Sequence, residues 1–86
     1  MDIKQLIAIV KKKIDQQIIL EEIKIIDKSF LHKNHKSYEK NKFHIKLIIK
    51  SEQLKSQSKI QSTKKIYEIL DYEIKKYIHS IQILIN

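Results

Sequence analysis

Phe43-His44-Ile45-Lys46-Leu47-Ile48-Ile49 is the stretch whose reading decides the fold. Phe43, Ile45, Leu47 and Ile49 alternate with His44, Lys46 and Ile48, a period of two that predicts a half-buried strand of antiparallel style. His44 lies across the strand from Phe43 and Ile45, so it is expected as a solvated residue on the open face of a sheet. Toward the C-terminus, 78–85 repeats the pattern. Ile81, Ile83 and Ile85 share one side and Ser80 and Gln82 the other. His79 has the parity of the isoleucines, which puts it at the start of the row that faces inward. Upstream, β-branched residues around Ile23-Lys24-Ile25 predict a third strand over 21–27.

Helical spacing flanks these strands. Ile3, Leu6, Ile7, Val10 and Ile14 form one stripe, and the carboxylate of Asp2 can cap the first turn, so a helix is expected over 2–15. A second amphipathic helix should carry Ile66, Tyr67, Leu70, Ile74 and Tyr77 on one face. The polar stretch 51–61 between strand and helix reads as a turn or short helix. The stretch 29–41 has no apolar period. It reads as a loop of roughly a dozen residues, a length that hints at function. The order helix, strand, strand, helical region, strand gives an α+β fold in one domain over 1–86. Two amphipathic helices can cover one face of a three-stranded sheet, giving a two-layer sandwich.

Composition narrows what this domain can do. The 86 residues include no cysteine, glycine, proline or tryptophan, so no disulfide or thiolate site can form. All 18 basic residues are lysine, and the net charge is +8. Such a charge suits nucleic acid or an acidic surface. It equally suits background lysine in a chain of biased composition, and the lack of arginine removes the commonest specific contact to guanine. No stretch reads as a membrane span or secretory signal, and a reducing cytoplasm is the expected setting. No hydrolytic site is expected: Ser29, Asp27 and the histidines lack a glycine-built nucleophile elbow, and Glu21 and Glu22 alternate across a strand instead of converging.

Particular residues in this order resemble the BolA family. Asp27-Lys28-Ser29 is similar to that family's Asp-Glu-Ser, and His32 follows in the loop where many members carry a histidine. Phe43 to Ser51 looks like the family's second strand, Ile66-Tyr67 like a pair in its long helix, and Ile78-His79-Ser80-Ile81 like its Val/Ile-His-Ala-Leu. The resemblance spans nearly the whole chain. Two departures stand out. Ser62-Thr63 replaces the family's Arg-His pair, and the usual glycine near Lys55-Ser56 is missing.

The resemblance implies a fold similar to type II KH domains and a non-enzymatic adaptor that pairs with a monothiol glutaredoxin. In that arrangement a [2Fe–2S] cluster is held only in the complex with glutaredoxin and glutathione, with none bound by the chain alone. Histidines approach the iron that the thiolates leave. His79 is the first candidate, His32 the second, and His35 a substitute for His32. Imidazole is the plausible ligand in a cysteine-free chain because it binds borderline metals through one ring nitrogen. The alternative is a DNA-binding transcriptional regulator using Lys59, Lys64 and Lys65, with Lys75 and Lys76 nearby. A KH-type grip on RNA is excluded, because it needs a Gly-x-x-Gly loop. Alone, the chain is expected to be a monomer or weak homodimer with no membrane partner.

Overall fold

A computed structural model describes residues 1–29 and 42–86. The first helix, α1 (Ile3–Gln17), begins with a reciprocal cap: Gln5 N donates to Asp2 Oδ1 at 2.8 Å, and Asp2 N donates to Gln5 Oε1 at 2.9 Å. Both bonds satisfy early backbone donors that the helix itself cannot. Its stripe of Leu6, Val10 and Ile14 is fully buried. Extended backbone at Ile18 ends the helix and drops that side chain into the core.

Two strands follow, β1 (Glu22–Asp27) and β2 (Phe43–Lys50), paired antiparallel with Ile23 opposite Ile49 and Ile25 opposite Leu47. A short helix α2 (Glu52–Lys55), the helices α3 (Lys59–Ile69) and α4 (Asp71–Lys76), and the strand β3 (Ile78–Ile85) complete the described chain. The strand β3 runs parallel to β2, so the sheet is mixed with order β1-β2-β3. The crossover that a parallel neighbour requires is supplied by the helical segment between them. The architecture is the expected α+β sandwich, with helices on one face of a three-stranded sheet.

The core joins Leu6, Val10, Ile14 and Ile18 to Ile45, Leu47 and Ile49, and to Leu54, Ile66, Leu70 and Ile78. Each such side chain contributes about 1.5–3 kcal/mol by leaving water, and isoleucine and leucine supply most of the total. Two serines anchor the joints. Ser51 Oγ donates to Ile19 O at 2.8 Å and accepts from Leu54 N at 3.3 Å, tying the α1–β1 connection to the start of α2. Ser62 Oγ donates to Leu54 O at 2.6 Å from a fully buried position. The residue in place of the family's arginine is thus a packing serine that satisfies a carbonyl at the end of α2.

The missing glycine is also explained. No described residue has a positive φ. Ser56 sits at φ −73°, ψ −11°, and its Oγ donates to Gln53 O at 2.8 Å. The turn stays right-handed throughout, where glycine offers no advantage.

The second amphipathic helix differs from expectation in two ways. It is divided at Leu70, whose φ of −100° and ψ of 16° lie outside the helical region. Tyr67 also leaves the buried face and is 41% exposed. The buried stripe of α3 runs through Ser62 and Ile66 to Leu70 at intervals of four. Tyr67, one step around the helix from Ile66, falls on the flank with Ile60 and Thr63.

Candidate functional site

His79 and His44 meet at the start of β3, with ring centroids 4.9 Å apart and planes at 51°. His79 does not stand where alternation alone puts it, and His44 keeps its face but not its expected exposure. Phe43 pairs with Ile78 but His44 pairs with Ser80, so His79 is the extra residue of a β-bulge. The bulge resets the parity of β3. Ile78 is buried and Ile81 half-buried on the helix side, while His79 and Ser80 between them are both exposed. His79 therefore does not open the inward row; it projects outward.

The expectation for His44 is corrected in the opposite sense. It lies on the open face, yet is only 4% exposed. Its Nδ1 shares a 2.7 Å hydrogen bond with Ser80 Oγ, whose direction follows the imidazole tautomer. Its backbone N donates to Ser29 Oγ at 3.0 Å, and Lys28 N donates to its carbonyl. Asp27 shapes that corner, since its Oδ1 accepts from Ser29 N at 2.9 Å in an Asx turn. The Asp-Lys-Ser triplet therefore folds back against the backbone at the start of β2, while Ser80 and the His79 ring contact the His44 imidazole. No signal in the alternation pointed to His44, because the bulge that brings His79 beside it lies on the neighbouring strand.

Stretch 30–41, with His32 and His35, lies outside the described residues. Its flanking residues Ser29 and Lys42 adjoin this corner of the sheet, next to His44 and Phe43. Among the described residues, no three histidine, cysteine or acidic side chains converge to hold a metal ion. The described residues thus offer an exposed imidazole, His79, backed by the buried imidazole of His44.

The lysines of the alternative reading are not gathered into one surface. Lys59 and Lys64 border a shallow apolar groove with Ile60, Thr63 and Tyr67. Lys65 instead faces α1, in a depression shared with Lys13, Gln16, Gln17 and Glu68. Lys75 pairs with Asp71 at 3.1 Å, and Lys76 donates to the Tyr72 hydroxyl at 3.0 Å. Among the described residues no helix is long and apolar enough to cross a membrane.

Solved structures share this fold at low sequence identity. The BolA domain of SufE1 from Arabidopsis thaliana superposes with a TM-score of 0.79 at 21% identity, covering 100% of this chain and 93% of that one. BolA1 from the same plant gives a TM-score of 0.76 at 18% identity, over 91% of this chain and 86% of its own. A bol-like protein from Babesia bovis gives 0.70 at 14% identity, over 91% and 79% of the two chains. No curated protein matches the sequence. The family model described as BolA-like protein matches residues 14–86, which run from the last turn of α1 through all three strands to the residue after β3, and on that match the chain belongs to the BolA-like family.

Proposed function

We propose that this protein is a non-enzymatic adaptor that pairs with a monothiol glutaredoxin and shares a [2Fe–2S] cluster with it. His79 supplies a ligand from this chain. His32 is the second ligand, with His35 as its substitute. The observation that carries the reading is the exposure of His79 on a bulge, at the corner of the sheet where stretch 30–41 leaves and returns. A chain without cysteine can enter such a cluster through neutral imidazole, which lowers the negative charge at the iron compared with thiolate. The glutaredoxin cysteine and glutathione of the proposed complex would provide the remaining thiolates.

The nucleic-acid alternative keeps the net charge of +8 but has less behind it. Phosphate contacts need cations on one surface, and Lys65 lines a different depression from Lys59 and Lys64 while Lys75 is paired with Asp71.

Anaerobic mixing of the purified chain with cluster-loaded monothiol glutaredoxin tests the reading. Visible absorption and circular dichroism should move to a mixed thiolate–imidazole signature, and His79→Ala should remove that shift. An unchanged spectrum with no complex on gel filtration overturns it.

A further inference from the structure

The corner described above contains one histidine with no place in the ligand set. We propose that His44 is a positioning residue for His79: its buried imidazole is the wall that fixes the orientation in which the exposed His79 ring is presented to a metal. The proposal rests on the reading of His79 as a cluster ligand.

Burial separates this role from direct ligation. His44 is 4% exposed and His79 is exposed, so an incoming metal centre meets His79 first and finds His44 behind it. The two rings are in contact at 4.9 Å between centroids. An exposed histidine on a strand otherwise samples several staggered rotamers, and a ligand held in one of them binds at lower entropic cost. His44 can serve as a wall because it is fixed from two directions. Ser80 Oγ holds its Nδ1 at 2.7 Å, and Ser29 Oγ holds its backbone N at 3.0 Å. The Ser80 hydroxyl can donate or accept, so this bond persists in either tautomer of His44.

The bulge links the two histidines. Ser80 is the residue opposite His44 because His79 is the inserted one. The bond that steadies His44 therefore also pins the backbone immediately after His79. Supporting groups of this kind typically change metal affinity by about 10–100-fold when removed.

Two measurements test the proposal on the full chain. In the complex with cluster-loaded monothiol glutaredoxin, His44→Ala should weaken binding by about tenfold or more and broaden the visible circular dichroism, while His44→Phe, which keeps a ring wall but no nitrogen, should restore most of both. Ser80→Ala, which leaves His44 in place but unsteadied, should give a smaller loss in the same direction. If His44→Phe fails as fully as His44→Ala, His44 is itself a ligand and the positioning role is wrong. If His44→Ala matches wild type, it has no role.

The second measurement needs no cluster. In the free chain, side-chain couplings and carbon relaxation should show the His79 ring in one rotamer for wild type and averaged among several for His44→Ala, at unchanged backbone shifts elsewhere. Equal averaging in the two overturns the proposal. If wild type takes no cluster, the adaptor reading fails, and this measurement still decides whether His44 orders His79.

Discussion

Replacing Lys13 by Met should destabilise the protein through the buried carboxylate of Glu73. Lys13 Nζ lies 2.7 Å from Glu73 Oε2 and ties α1 to α4, with the lysine side chain 38% exposed and the glutamate 4%. The other glutamate oxygen, Oε1, is buried without a hydrogen-bond partner among the described residues. Lys13→Met thus leaves a buried carboxylate whose single strong partner is gone. Breaking a fully buried pair costs about 3–5 kcal/mol. The partial exposure of Lys13 admits water to one side and reduces that figure, so a loss of about 1–3 kcal/mol is expected, the range for a buried acceptor left unsatisfied. Loss of the Lys13 contact over the Tyr72 ring, at 5.8 Å, adds little at an exposed site. In a chain of this size each kcal/mol moves Tm by about 4–8 °C. Urea unfolding followed by far-UV circular dichroism measures the change directly. Glu73→Leu combined with Lys13→Met removes both charges together and should recover most of the loss, because an apolar pair of similar volume avoids the desolvation penalty. If Lys13→Met lies within about 0.5 kcal/mol of wild type, the size of a neutral surface substitution, the carboxylate is solvated and the reasoning fails.

Ser62→Ala should cost about 1–3 kcal/mol in the same urea assay, since it strips Leu54 O of its 2.6 Å donor in a buried setting; no change would mean that the α2–α3 joint does not need the hydroxyl. At alkaline pH, Tyr72 should ionise below the ordinary phenol range in ultraviolet difference spectra. Its phenol is held below the ordinary value first by the hydrogen bond from Lys76, then by that with Tyr77 and by the Lys76 charge. Lys76 is correspondingly raised, chiefly through the same bond to Tyr72. A depressed acid contributes stability only as pH rises through its lowered pKa. A raised lysine contributes below its ordinary pKa and loses that contribution as pH rises through the raised one. The pair is therefore strongest in the window between the lowered phenol and the raised amine, and Lys76→Met should return Tyr72 to the ordinary phenol range; a Tyr72 that titrates alike in wild type and Lys76→Met would contradict the bond.

Elements that repeat a clean period were legible from sequence. The stripe of Leu6, Val10 and Ile14 and the row of Ile45, Leu47 and Ile49 are buried as read, because periodicity reports burial directly when backbone geometry is regular. The cap at Asp2 was legible for a similarly local reason. What failed to show were departures from regularity. The break at Leu70 interrupts a helical period without glycine or proline to mark it. The bulge at His79 reverses the inward and outward sense of His79 and Ile78 relative to the rest of the strand. The environment of His44 depends on Ser80, which is 36 positions away in the chain, and on Lys28 and Ser29, which bond its backbone. Pairing between β2 and β3 was equally beyond reach, since parallel register depends on a crossover whose length the pattern does not fix.

The bulge reconciles two demands on one short strand. Ile81, Ile83 and Ile85 must face the helices, where they pack against the core, and that register alone would turn His79 inward and Ile78 outward. An imidazole in the apolar layer would need a hydrogen-bond partner there, and Ile78, now 3% exposed, would forfeit about 1.5–3 kcal/mol of burial. One inserted residue removes both penalties. Ile78 stays in the core, and His79 reaches the open face beside His44. A site built this way draws its rigidity from the core residues on either side of it. Disturbing Ile78 or Ile45 should therefore loosen the presentation of His79 even though neither can touch a ligand, because the bulge is held in place by what is buried next to it.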